Sequence, residues 1–233
     1  MKVETCFTPA LIDQFSLDGK QVVVVDIFRA TSCMVSGMAH GLKSIYPVDN
    51  VEKCLELGRK GYFTAGERGG IKIEEFNIGN SPFEYMNPEL AGQSIAVTTT
   101  NGTHALVKSL SAQEIIIGAF LNLSAVVNYL QSTGLDTVIH CAGWKGALNI
   151  EDTLFAGALI DKLETVELAD DSSKIAQALF LQHKNDLHQI ALASSHAKRL
   201  ANFGIEKDLE FCMSIDKFDV VPLYIDRALT LHK

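Results

Sequence analysis

Val22, Val23, Val24 and Val25 make an unbroken apolar run between Lys20-Gln21 and Asp26. A half-exposed strand would alternate, so this run predicts a central parallel strand covered on both faces, with Asp26 at its carboxyl end. Beyond it, Thr31 or Ser32 can cap a helix whose apolar positions are Met34, Val35, Met38 and Leu42. The turn between strand and helix carries an acid, Asp26, a base, Arg29, and two hydroxyls. In open α/β sheets ligands bind at such junctions, where helix N–H groups face an anion.

The same hand-over between strand and helix recurs. Residues 3 to 7 predict a first strand, 8 to 17 a connecting turn or short helix, and 44 to 48 a further strand. Asp49 or Asn50 caps a helix over 51 to 60 that Gly61 ends. A strand at 62 to 65 runs into Gly66-Glu67-Arg68-Gly69-Gly70, and residues from there to 84 show no clear period. Long irregular stretches of this kind are usually functional or disordered, and this one carries Asn77, Asn80, Ser81 and Pro82 rather than a low-complexity linker. Strands are predicted at 94 to 98, 114 to 117 and 137 to 141, with helices through Ala105, Leu106 and Leu110, over 122 to 132, and from Asn149 or Glu151-Asp152 to about 166. The remainder reads as mainly helical, at 170 to 184 and 194 to 203, closing with an apolar strand at 220 to 225. The alternation predicts a three-layer α/β/α domain with a largely parallel or mixed central sheet, in which the last strand is an antiparallel or edge addition. No repeat or biased linker divides the chain. A single domain spanning 1–233 is the simplest organisation, with two intimately packed halves of about 1–110 and 111–233 as the alternative.

Composition narrows the partners. The chain has 233 residues, 47% of them apolar, enough for a substantial core. A net charge of -8 with no run of Lys or Arg argues against nucleic acid or an anionic membrane surface as partner. A small anionic substrate would then need local arginines or a metal. Cys6, Cys33, Cys54, Cys141 and Cys212 are odd in number and widely spaced, which fits a reducing compartment rather than a disulfide framework or zinc site. No apolar run reaches the roughly 20 residues of a membrane helix, and the start at Met1 lacks a signal pattern, so a cytoplasmic location is expected. A homo-oligomeric assembly remains open.

Four strand ends carry the candidate chemistry. Asp26, Glu67 and Asp152, from distant segments, can offer a magnesium ion hard oxygen ligands while it keeps several waters. The competing reading makes each a helix cap or an arginine partner. Glu151 competes with Asp152, because adjacent residues are not expected to face inward together. Arg29 and Arg68 suit phosphate, carboxylate or sulfonate through their guanidinium forks, or else form surface ion pairs. Asn101, Gly102 and Thr103 can aim backbone N–H groups at an anion, although ordinary capping explains them too. Cys141 is a thiolate candidate or, more commonly for a free cysteine, a small buried hydrophobe. His104 and His140 fall near the crevice in sequence and are open to a general-acid or a structural role. The chain lacks G-x-x-x-x-G-K-[ST], G-x-G-x-x-G, G-x-S-x-G and H-E-x-x-H. Phe28 excludes a D-x-D pair, and Ala147 excludes a Cys-x5-Arg loop.

Taken together, residues 25 to 32, Ala65-Gly66-Glu67-Arg68-Gly69-Gly70, Gly79-Asn80-Ser81-Pro82, residues 98 to 103, and Cys141-Ala142-Gly143 with Glu151-Asp152 resemble the 2-phosphosulfolactate phosphatase family. The resemblance continues to Phe211-Cys212 and Val221-Pro222-Leu223-Tyr224, so it covers nearly the whole chain. It implies a magnesium-dependent acid phosphatase, with an α/β fold distinct from the common phosphatase folds, hydrolysing 2-phosphosulfolactate to sulfolactate and phosphate in the route to coenzyme M. Asn77 stands where the resemblance leads one to expect an aspartate, and Glu74-Glu75 replace smaller residues.

Combining both lines, Asp26, Arg29, Glu67 and Asp152 are the catalytic candidates, with magnesium on Asp26, Glu67 and Asp152. Arg29, Thr31, Ser32, Arg68, Asn80, Ser81, Asn101, Gly102, Thr103 and Cys141 are the substrate-binding candidates. The attacking group is either a metal-bound water or a carboxylate, Asp26 first. The rivals are a phosphatase for another phosphorylated hydroxy acid and a non-enzymatic binder of anionic metabolites.

Overall fold

The computed structural model describes residues 1–231. Its strands are β1 (Lys2–Cys6), β2 (Gln21–Val25), β3 (Ser44–Pro47), β4 (Phe63–Arg68), β5 (Ile71–Lys72), β6 (Ser94–Thr98), β7 (Glu114–Gly118), β8 (Thr137–Cys141), β9 (Glu167–Leu168), β10 (Pro222–Ile225) and β11 (Ala228–Leu231). Its helices are α1 (Ala30–Ala39), α2 (Val51–Gly58), α3 (Pro82–Tyr85), α4 (Gly102–Lys108), α5 (Leu123–Thr133), α6 (Ile150–Lys162), α7 (Asp171–His183), α8 (Leu187–Leu192), α9 (Ser195–Ala201) and α10 (Glu206–Cys212). The strands form one mixed sheet in the order β5-β4-β6-β3-β11-β10-β7-β2-β8-β1-β9, with helices on both sides, so the three-layer α/β/α expectation holds.

The valine run is β2, buried at every position between β7 and β8 and parallel to both. Parallel pairing continues through β1 to β9. A second parallel block is β4, β6 and β3. The hairpin β10–β11 joins the blocks, pairing antiparallel with β7 on one side and β3 on the other. The final strand is therefore antiparallel as expected, but it lies in the middle of the sheet rather than at an edge, and its partner β11 was not anticipated. Strands from before and after residue 110 interleave in this sheet, because β2 sits between β7 and β8.

Three successive antiparallel pairings reverse the direction of the second block relative to the first. In a flat sheet their carboxyl ends would lie on opposite edges. A twist of roughly 20–25° per strand, over the five steps from β2 to β6, swings β6 by about 100–125° and turns the two sets of ends toward each other. Between them lies α1, which packs against β7, β10, α3 and α4. Nine of its ten residues are buried, from Ala30 through Met38, as suits a helix apolar on all sides. Its hydroxyls are satisfied internally, Ser36 Oγ donating to Ser32 O at 2.8 Å and Ser32 Oγ to Ile27 O at 2.9 Å.

On the β8–β1 side, α6 and α7 pack closely. Gly157 permits this, since a Cβ there would fall 2.1 Å from Ala176 O. The strand expected at 62 to 65 extends through Arg68, which puts Glu67 inside β4. The irregular stretch to 84 contains the two-residue β5 and the short α3. Asn77 anchors it: its Oδ1 accepts from Thr64 N at 2.8 Å and Thr64 Oγ1 at 2.9 Å.

Candidate active site

Asp26 leaves the end of β2 beneath the start of α1 and is buried. The turn is fastened by Thr31, whose Oγ1 accepts from Asp26 N and donates to Asp26 O, both at 3.0 Å. Neither Thr31 nor Ser32 is the helix cap: Arg29 occupies that position without a side-chain cap, and both hydroxyls lie in the first turn. They turn back onto the strand–helix junction and hold it. Opposite, Gly102 opens α4, and a Cβ there would stand 2.6 Å from Ala30 Cβ and 2.9 Å from Asp26 Oδ2. Only glycine lets the β6–α4 loop approach Asp26 so closely.

Glu67 reaches this loop from β4. Its Oε1 accepts from Thr100 N at 2.7 Å and its Oε2 from Gly70 N at 2.6 Å, tying two loops together. Asp152 does the same between β2 and β8, its Oδ1 accepting from Ile27 N at 2.9 Å and its Oδ2 from Gly143 N at 3.1 Å. Its neighbour Glu151 is buried as well, so the premise that only one of the pair faces inward fails. The first turn of α6 is enclosed on more than one side, and residues about 100° apart on a helix can then both be covered. Glu151 Oε1 bonds His196 Nδ1 at 2.6 Å, and Oε2 accepts from Ser194 Oγ at 3.4 Å.

Four buried carboxylates thus share one region, and they feel each other. Burial pushes the Asp26 carboxyl up to about 7; His196 and the Ala30 amide pull it down, while Glu67 and Glu151 push it further up. Burial, then the negative charges of Glu151 and Asp26, hold Asp152 well above the usual carboxylate range.

A narrow cavity of about 20 Å³ is lined by Asp26, Glu67, Asn80, Asn101, His196 and Arg199, among others. That is room for about one water, so an organic ester must displace part of the lining. The rim is where this is feasible: Arg199 lies over the Trp144 ring, 4.5 Å from its centroid, and its Nη1 donates to Gly69 O at 3.3 Å. Two buried polar atoms here have no partner, Asn80 Oδ1 and Arg199 Nε.

The other expected residues fall elsewhere or act indirectly. Arg29 lines the cavity but is ion-paired with Asp208 of α10, whose Oδ1 also accepts from Ser81 Oγ at 3.1 Å. Arg68 folds back on Thr98, Nη2 to Oγ1 at 2.9 Å, and lines a separate cavity of about 320 Å³ with Asp49, Thr99 and His104. Thr103 Oγ1 donates to Thr99 O at 2.8 Å and closes its own loop. Cys141 is fully buried at the end of β8, its thiol pushed well above the usual range by burial, and does not line the cavity. His140 is buried with Nδ1 2.9 Å from Ser109 Oγ, and burial lowers it to about 3. Asn77 lies in another cleft, beside Thr64 and Glu75.

Trp144, His196, Arg199 and Asp208 were not assigned from the sequence, and Glu151 entered there only as the competitor of Asp152. Trp144 offered a signal, being the chain's single tryptophan, placed directly after the glycine that follows β8. The others sit in unremarkable helical patterns. Among the described residues, no three His, Cys, Asp or Glu side chains close on a common point as a ready metal cage.

A mixed α/β sheet whose strand ends gather buried carboxylates, a histidine and arginines around a small cavity defines an enzyme-type site for an anionic ligand. The chain matches the family described as 2-phosphosulpholactate phosphatase over residues 6–227, and it belongs to that family. It is 41% identical over 228 residues, 95% of each chain, to a probable 2-phosphosulfolactate phosphatase of Caldanaerobacter subterraneus. A protein of that name from Thermotoga maritima is 41% identical over 92% of this chain and 93% of its own. One from Clostridium beijerinckii is 31% identical over 99% of both.

Proposed function

We propose that this protein is a phosphatase that hydrolyses 2-phosphosulfolactate to sulfolactate and phosphate, with magnesium as its cofactor. The observation that carries the reading is the convergence of Asp26 with Asn80, Asn101 and Arg199 on one cavity, in a chain of this family. The donor set fits a hard cation. Asp26 is buried beside the negative charges of Glu67 and Glu151, which His196 opposes without cancelling the effect of burial, and Asn80 Oδ1 is a buried carbonyl oxygen with no hydrogen-bond partner among the described residues. Magnesium is typically held by one or two carboxylates, with waters and substrate phosphate completing the shell. Asp26 and Asn80 would hold it, with Glu67 adding charge beside them while its oxygens also brace the loops. Bound there, the ion would draw charge from the phosphoryl oxygens and offset the carboxylates.

The chain's own groups do the rest. Arg199 brings a guanidinium to the rim with an unpartnered Nε, suited to a sulfonate or carboxylate. Arg29 is held in place by Asp208 and supplies positive charge to the wall opposite. The Asn101 side chain and the loop fixed by Glu67 and Thr103 line the phosphoryl end. The carboxylates favour an enzyme over a simple anion binder, which would gain nothing from negative charge beside its ligand.

The test is phosphate release from racemic phosphosulfolactate with magnesium and with a chelator, beside a panel of other phosphorylated hydroxy acids. Magnesium-dependent release with phosphosulfolactate preferred is expected. Preference for another ester moves the assignment to that substrate, and binding without turnover favours the non-enzymatic reading.

A further inference from the structure

We propose that His196 is the general acid that protonates the leaving oxygen of the ester, and that Glu151 is the residue that positions it. This rests on the phosphatase reading. Five observations carry it. His196 lines the same cavity as Asp26, although 170 positions separate them. Its Nδ1 is taken by Glu151 Oε1 at 2.6 Å, which fixes the proton on that nitrogen and leaves Nε2 as the working atom. No hydrogen-bond partner for Nε2 is found among the described residues. The ring is boxed between Trp144, near-parallel with centroids 6.3 Å apart, and Phe28 at 6.4 Å. Glu151 is itself fixed through Ser194 Oγ, which also accepts from Ala197 N at 3.0 Å, so α6 and α9 are locked together at the pair.

A structural ion pair would be satisfied anywhere in the core. This one has one free ring nitrogen and opens on the carboxylate cluster. An alkoxide is a poor leaving group, because its conjugate alcohol is a weak acid. In the step, an oxygen nucleophile forms a new bond to phosphorus as the bridging P–O bond breaks, the electron pair passing to the bridging oxygen. The proton on Nε2 moves to that oxygen, giving the hydroxyl of the product. His196 is left neutral and regains its proton from solvent.

The experiment compares wild type, His196→Gln and Glu151→Gln, with magnesium, on phosphosulfolactate and on 4-nitrophenyl phosphate, whose leaving phenolate needs no proton. For phosphosulfolactate His196→Gln should lower kcat by about 100-fold or more, with KM little changed. The loss on the nitrophenyl ester should be less than about tenfold, and Glu151→Gln should give the same discrimination more weakly. In parallel, the bridging-oxygen ¹⁸O isotope effect on phosphosulfolactate should rise in His196→Gln, because the bond then breaks without protonation; this readout decides if the nitrophenyl ester is not turned over. Equal losses on both esters with an unchanged isotope effect, or full activity of His196→Gln, would overturn the assignment. Wild-type protein that releases phosphate from neither ester overturns the phosphatase reading instead.

Discussion

At the scale of single residues, Asp26 shows how a site is held against its own stability. Its carboxyl is raised from 3.8 to about 7, chiefly by burial. Between those values the folded protein keeps a proton that the unfolded chain has lost, so without a cation stability falls as pH rises through that window and levels off above it. Asp26→Asn removes the charge. Expected is a metal-free variant more stable than wild type at pH 8, by at most about 4 kcal/mol, with no advantage near pH 4. Magnesium should raise the Tm of wild type at pH 8 and not that of the variant, while kcat falls on the order of 100-fold in the variant. Calorimetry at both pH values checks the first part. A variant less stable than wild type at pH 8 would remove the uncompensated charge from the account.

Among elements, the decisive contact is between the start of α4 and the start of α1, and Gly102 sets it. Alanine there must push its Cβ against the Ala30 Cβ, which is fixed to the backbone, and against the Asp26 carboxylate. Overpacking of this kind costs roughly 1–3 kcal/mol. Gly102→Ala is expected to lower Tm by several degrees, on the order of 2–4 °C per kcal/mol for a chain of this size, and to reduce turnover by shifting the loop that carries Asn101. Calorimetry and kinetics check it; a variant unchanged in both would show that the loops stand further apart. The loops themselves are held by carboxylates: Glu67 joins the nearby Gly70 amide to the distant Thr100 amide, and Asp152 joins the Gly143 amide to that of Ile27. Sequence patterning found these carboxylates because they end strands or begin helices. Their roles as backbone braces depend on which amides arrive opposite them, and no local pattern encodes that.

For the whole molecule, the hairpin β10–β11 closes the seam between two oppositely directed parallel blocks. Leu223 and Leu229 are buried within it. Deleting residues 220–233 would expose the β3 and β7 edges, which then invite pairing with other chains. The truncated protein is expected to aggregate or to lose its single cooperative unfolding transition, observable by size-exclusion chromatography and circular dichroism. A monomeric truncated protein with an unchanged transition would mean that each block stands without the seam.

The period of the apolar positions, by itself, determined the α/β class, most element positions and the fact that β2 is central, because a strand covered on both faces must be apolar throughout. It also singled out Asp26, Glu67 and Asn101, at strand ends or helix starts where side chains are free to serve a ligand, while Asn80 entered through the family resemblance. Only the tertiary structure decided that the last strand enters the middle of the sheet, that Arg68 and Cys141 do not line the cavity, that His196, Trp144 and Arg199 complete it, and that Glu151 stands behind His196. Those residues come from α6, α9 and the loop after β8, where the local pattern serves packing. Their meeting follows from sheet order and twist, which are long-range properties that periodicity along the chain does not carry.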